Sequence, residues 1–232
     1  MIKIRKSNER GNANYGWLDT HYTFSFNTYH DARFMGFRSL RVINEDFIAP
    51  NQGFPMHGHR DMEILTYVMR GELSHKDSLG NGTTILPNEV QRMTAGTGVL
   101  HSEYSSPSEE THLLQIWILP EEKNLEPSYE QTFFAPENKK GKLKLVASRA
   151  GTDGSVTIHQ DVNLYSSILG KDEEVSHALE ENRHAWIQVI KGEIFLKGEI
   201  LSQGDGAAIS DEKLLKIKAL VDESEFLLFD LN

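Results

Sequence analysis

Tyr67–Leu73 reads YVMRGEL, and 121 positions further on Gln188–Ile194 reads QVIKGEI. In both, an apolar run meets a basic residue, then Gly, then Glu, then a second apolar run. That is how a tight turn between two antiparallel strands is written, with Gly71 and Gly192 available for positive φ. The correspondence extends outward. PNEVQRM matches QGDGAAI as a turn entering a strand, and HLLQIWIL matches SEFLLFDL as a closing strand. Between the copies lies PEEKNLEPSYEQTFFAPENKKG, rich in Pro and charge. The repeat predicts two copies of one β unit. The remaining segments agree, because short stretches rich in β-branched and aromatic residues alternate with turn clusters such as SLGNGT and SQGDG. An all-β sandwich or barrel is the class this spacing predicts. Only KDEEVSHALEENRH (171–184) reads as one or two helical turns.

Composition narrows the function classes. The 232 residues carry a net charge of −10, with 38% apolar and 9% aromatic residues, enough for a core. No Lys/Arg cluster is long enough to track phosphates, so nucleic acid is not expected as a direct ligand. With no Cys, disulfides, thiolate nucleophiles and zinc-finger chemistry are excluded. MIKIRKSNERGN lacks the apolar core of a secretory signal, and no apolar run approaches the ~20 residues a bilayer requires, so a cytoplasmic, membrane-free protein is expected.

The chemistry-bearing residues come in pairs. His57-Gly58-His59 alone is weak, because ten His in the chain would produce roughly 0.4 such pairs by chance. His101 and Glu103, in TAGTGVLHSEYS, repeat the two-residue spacing. Residues i and i+2 of a strand share a face about 6.6 Å apart, so two such pairs on neighbouring strands aim four side chains at one spot. Three imidazoles and a carboxylate suit a borderline first-row ion such as iron, nickel, copper, manganese or zinc. Gly96 and Gly98 let the chain turn sharply into the second pair. Glu63, about 13 Å along a straight strand from His59, is assigned a supporting or ion-pair role. His21, His30, His75, His112, His159, His177 and His184 are read as ordinary surface or core histidines. In the second copy the positions matching the four ligands fall at Ala178, Glu180, Ile217 and Ala219, which predicts a unit without a metal site.

The run GWLDTHYTFSF…FMGFRSLRVINEDFIAPNQGFPMHGHRDMEILTYVMRGELSHKDSLGN…VQRMTAGTGVLHSEY resembles the pirins, bicupin members of the cupin superfamily. The resemblance is dense from Gly11 to Tyr104 and thins to pattern level beyond. It implies two cupin-type, jelly-roll-like barrels packed face to face, with residues 1–130 bearing the metal and 131–232 a degenerate barrel without ligands. It also implies His57, His59, His101 and Glu103 as ligands, with Glu103 catalytic. The cofactor expected is one divalent transition metal, iron(II) first, with zinc, nickel, manganese, copper and cobalt as alternatives. The activity implied is that of a quercetin 2,3-dioxygenase, taking a flavonol and O2, in a monomer. The alternative is a metal- or redox-dependent regulator that binds a protein partner. A cupin isomerase or hydrolase would need a Lys/Arg cluster near the ligands, and none is present. Pirins commonly have Pro where Gly58 stands and an aromatic where Arg92 stands, so both departures are expected to alter the site or its wall. Phe54 and Met56 are expected at its mouth.

Overall fold

Every second side chain of Val99–Ser105 is buried, whereas Thr111–Ile118 and Glu63–Arg70 are buried almost throughout. The first pattern belongs to a strand with one wet face and the second to a strand covered on both faces. The computed structural model describes residues 1–232. The chain divides into two units. One comprises Gly11–Phe133 with Val156–Gln160, and the other Met1–Arg10, Phe134–Ser155 and Asp161–Asn232. This differs from a single break after residue 130. The amino-terminal ten residues fold with the carboxy-terminal unit, because Ile2–Arg5 pairs with Gly206–Ile209.

In chain order the strands begin with β1 (Ile2–Arg5), β2 (Gly11–Asn14), β3 (Leu18–Tyr22), β4 (Leu40–Ile48), β5 (Gly53–His59), β6 (Glu63–Arg70) and β7 (Leu73–Asp77). They continue through β8 (Gly82–Ile85), β9 (Glu89–Thr94), β10 (Val99–Ser105), β11 (Thr111–Ile118), β12 (Ser128–Phe133), β13 (Lys144–Ser148) and β14 (Val156–Thr157). The last are β15 (Val162–Leu169), β16 (Glu174–Ala178), β17 (His184–Lys191), β18 (Glu193–Leu196), β19 (Glu199–Ser202), β20 (Gly206–Ile209), β21 (Leu214–Ala219) and β22 (Ser224–Leu231). The helical segments are short 3-10 turns at Ser7–Glu9, Pro136–Asn138 and Thr152–Gly154. The stretch 171–184 forms β16 rather than helical turns. Val175 is buried between exposed Glu174 and Ser176, and its whole strand pairs antiparallel with β21.

The two units share one topology. In the first, a large sheet runs β12-β9-β6-β11-β4-β3-β2 and a small one β5-β10-β7-β8. In the second, β1, β20, β17, β22, β15 and β13 lie side by side in the same relative places as β12 to β3, and β16-β21-β18-β19 forms the small sheet. The repeat is therefore real, with one refinement. β6 and β7 belong to different sheets, as do β17 and β18. The RGE and KGE turns are corners that carry the chain from one sheet to the other, not hairpins. Gly71 (φ 74°) and Gly192 (φ 76°) turn these corners, and a Cβ on Gly71 would lie 2.6 Å from the Glu110 carbonyl oxygen. Apolar side chains fill the second unit, with Ile187, Val189, Ile194, Leu215, Ile217 and Phe226 wholly buried or nearly so. The first unit packs its apolar groups at the two ends, around Ile48, Leu73 and Leu113 and around Ile64, Met93 and Val99. Polar side chains occupy its middle. No helix is long and apolar enough to cross a membrane.

Candidate metal centre

β10 lies between β5 and β7, and the register sets His101 opposite His57 on one side and Asp77 on the other. Glu103 stands two residues on, opposite His75. Paired residues of neighbouring strands point to the same face, so the small sheet presents His57, His101, Asp77, Glu103 and His75 to the interior of the unit. His57, His59 and His101 each bring a ring nitrogen within 4.8 Å of the others, and Nε2 of His59 is 2.9 Å from Nε2 of His101. Two neutral imidazole nitrogens facing each other at this distance would suit a shared first-row ion. The His57 Nδ1 hydrogen is donated to the Pro55 carbonyl at 2.8 Å, which leaves Nε2 free to ligate. Nδ1 of His101 and Oε1 of Glu103 are buried with no partner in the protein. Two facing neutral nitrogens and an orphaned carboxylate oxygen are costly in a core and are satisfied together by a cation, so the residues fit an ion.

Electrostatics agree with that fit. Burial, then the neighbouring His57, lowers His59 to about 4. Burial and the charges of His57, His59 and His75 lower His101 to about 2. Both rings are thus held neutral, as ligands must be. Glu103 is pushed up to about 7 by burial, aided by the charge of Asp46 and opposed by a hydrogen bond from Gln115. A carboxyl that is costly to ionise in an apolar site is relieved by a cation beside it.

The centre opens on a cavity of 620 Å³. Its aromatic walls are Tyr15, Trp17, Tyr22, Phe26, Phe54 and Trp117, with His57, His59 and Glu103 at the polar end. Trp117 meets the His59 ring edge-on at 5.0 Å and Phe26 at 5.3 Å. Across the large sheet, Tyr22, Asn44, Gln115, Thr66 and Gln91 stand in register on β3, β4, β11, β6 and β9. This polar row faces the interior, and Asp46 lies two residues along β4 from it. Phe54 is in the wall as expected, but Met56 is 53% exposed and is not part of it. Arg92 does not reach the cavity either. It is buried with its guanidinium bonded to the Thr157 carbonyl, Thr94, Ser128 and Glu130. Gly58 lies on extended backbone opposite Leu100, and a Cβ there would meet the Leu100 Cδ2 at 3.2 Å and the Val99 carbonyl oxygen at 3.7 Å.

Comparison with known proteins accords with this geometry. Residues 3–118 match the Pirin family model, and residues 145–231 match that of the quercetinase C-terminal cupin domain. The chain belongs to the pirin family. This pirin is 52% identical to a quercetin 2,3-dioxygenase of Escherichia coli K12, over 100% of this chain and 99% of that one. It is 38% identical to a pirin-like protein of Caulobacter vibrioides, over 99% of each. Among solved structures it superposes with TM-score 0.95 on the Escherichia coli pirin YhhW in complex with nickel(II), at 51% identity, covering 100% of this chain and 99% of that one.

Several side chains of this pirin sit where sequence reasoning had no claim on them. His75, read as an ordinary histidine, is 2% exposed and lies with His101 and Glu103 in a second group of ligand atoms within 4.8 Å. A signal existed, because His75-Lys76-Asp77 has the same two-residue spacing as His57-Gly58-His59 and His101-Ser102-Glu103. His112 does face away, bonded to Glu45 at 2.8 Å and stacked on Phe47. Glu63 is fully buried, accepting from the His159 backbone N–H at 3.1 Å with Nδ1 of the same ring 3.3 Å from its Oε2. In the second unit of this pirin, strand pairing shifts the equivalences. His177 faces Leu215 as His57 faces His101, and Ile217 stands in the place of Glu103. Ala178, Glu180 and Ala219 are therefore not the matching positions, and Leu179 stands in the place of His59. His177 is bonded to Asp230 at 2.8 Å, while Leu179, Leu215 and Ile217 are buried in the core.

Proposed function

We propose that this pirin is a metal-dependent dioxygenase that opens the heterocyclic ring of a flavonol with O2, with His57, His59, His101 and Glu103 as the protein ligands. The observation that carries this reading is the cluster of His57, His59 and His101 ring nitrogens, with His57, His59 and the buried Glu103 carboxyl lining one end of a 620 Å³ cavity with aromatic walls. The quercetin 2,3-dioxygenases among its relatives support the substrate class. The nickel(II) complex of its Escherichia coli relative supports a divalent first-row ion. The donor set of mixed imidazole and carboxylate admits iron(II) as well.

The ion supplies Lewis acidity, which lowers the pKa of a hydroxyl bound near it, and open positions for oxygen donors. The residues supply the rest. A volume of 620 Å³ falls in the range of small-molecule sites. Phe26, Phe54, Trp17 and Trp117 offer flat apolar surface to an aromatic bicycle and exclude water from the polar end. Oε1 of Glu103 has no protein partner, which supports its role as acceptor of the flavonol 3-hydroxyl proton. The Gln115 side chain holds the carboxylate in that orientation. In the overall reaction both atoms of O2 enter the ring-opened ester and one ring carbon leaves as carbon monoxide. The test is oxygen uptake with quercetin after loading the protein with iron(II) or nickel(II). Turnover that His101→Ala abolishes supports the reading. A loaded protein that consumes neither quercetin nor oxygen sinks it.

A further inference from the structure

Behind the centre just described, His75 lies on β7 with its Nε2 3.2 Å from Oδ2 of Asp77, both side chains wholly out of solvent. Asp77 is itself fixed by the backbone N–H of Leu79 and Asn81 and by the Asn81 amide, at 2.9, 3.0 and 2.8 Å. With Asp77 accepting the Nε2 hydrogen, the His75 tautomer is set and its Nδ1 carries a lone pair. That Nδ1 is buried and has no partner in the protein, and neither do Nδ1 of His101 and Oε1 of Glu103. A histidine whose far nitrogen is tied to a carboxylate and whose near nitrogen is left bare is the arrangement of a metal-ligating imidazole. A core hydrogen-bonding histidine has both nitrogens satisfied. His75, His101 and Glu103 are 2%, 1% and 3% exposed, and their ligand atoms lie within 4.8 Å of one another.

We propose that His75, His101 and Glu103 form a second, inner seat for a divalent cation, alternative to the outer seat of His57, His59, His101 and Glu103. The inference rests on the metal reading above and adds a position to it. Because His101 and Glu103 are common to the two seats, one ion is in one or the other. The seats differ in chemistry. The outer one sets three imidazoles beside Glu103, a nitrogen-rich set that suits nickel, copper or zinc. The inner one is two imidazoles and a carboxylate, the donor set of non-haem iron(II) sites, which favours the harder iron(II) and manganese(II). They also differ in access. His57, His59 and Glu103 line the cavity, whereas His75 and His101 do not. An ion in the inner seat is withdrawn from anything bound in the cavity and moves outward by exchanging His75 for His57 and His59.

Cobalt(II) separates the seats, since its visible absorption responds to the donors around it. The protein, its His57→Ala/His59→Ala variant and a triple variant that adds His75→Ala are titrated with cobalt(II) against a competing chelator. The double variant is expected to bind one cobalt(II), no more than about 100-fold more weakly than the unaltered chain, with altered bands. The triple variant is expected to lose at least a further 100-fold. If the unaltered chain binds cobalt(II) and the double variant binds no more tightly than the triple, the inner seat does not exist. If the unaltered chain itself binds none, the metal reading falls as well. Should the alanine pair not fold, His57→Ala/His59→Phe refills the ring volume and reads the same titration.

Discussion

Replacing Asp46 by asparagine is expected to change the stability of the metal-free protein with a sign that depends on pH. Asp46 is on β4 beside the cavity, fully buried, with Oδ1 unpartnered. Burial, with a smaller push from the Glu45 charge and against a hydrogen bond from Thr20, raises its pKa from 3.8 to about 7. Below pH about 4 the carboxyl is protonated in both the folded and the unfolded chain, and its titration contributes nothing. Between pH 4 and 7 the unfolded chain ionises while the folded one keeps its proton, so the fold loses about 1.36 kcal/mol per pH unit. Above pH 7 the penalty is constant at about 4 kcal/mol. Asparagine has no such term but buries an extra N–H donor, at a cost of about 2 kcal/mol at every pH. Asp46→Asn is therefore expected to destabilise by about 2 kcal/mol at pH 4 and to stabilise by about 2 kcal/mol at pH 7.5. Urea unfolding of both chains in chelator at pH 4, 5.5 and 7.5 reads this directly. A difference that stays constant within 1 kcal/mol across the series would refute the reasoning. A group that costs this much at neutral pH is retained where a site needs it.

Three further outcomes follow from the geometry. Glu103 at about 7 holds about 0.9 of a proton at pH 6 and gives it up when an ion binds; calorimetry in buffers of different ionisation enthalpy is expected to show that proton for the unaltered chain and to lose it in Glu103→Gln, and equal counts would contradict the assignment. Trp117→Ala removes the wall that packs on His59 and Phe26, and is expected to raise KM for quercetin about tenfold with a smaller change in kcat; an unchanged KM would take Trp117 out of the wall. Gly96 has φ 43° and a Cβ there would lie 1.9 Å from the Leu125 carbonyl oxygen, so Gly96→Ala is expected to cost about 3 kcal/mol or more. Gly58→Ala, whose Cβ would press on the flexible Leu100 tip at 3.2 Å and touch the Val99 carbonyl oxygen at an ordinary 3.7 Å, is expected to cost less than about 1 kcal/mol, and thermal unfolding compares the two.

Gly58 lies on β5 opposite Leu100, an extended strand position between two candidate ligands. Arg92, expected to alter the wall of the site, does not line the cavity. Its strand was legible, but which face of β9 turned inward depended on pairing with β6 and β12.

The sequence by itself determined that the chain is all-β, that its two halves repeat one unit, and that one His-His and one His-Glu pair have the spacing that puts both members on one face of a strand. Those are properties of period and spacing, carried by a few neighbouring residues. Tertiary structure alone decided the rest. It placed Met1–Arg10 in the second unit, made the RGE and KGE turns corners between sheets, and brought His75 and Asp77 in behind the ligands. It also set Asn44, Asp46, Gln115 and Trp117 opposite them. Each of these depends on which strand lies beside which, and in what register. Register joins residues as distant as Ile2 and Ile209, and a shift of one residue would turn every side chain in a strand to the other face.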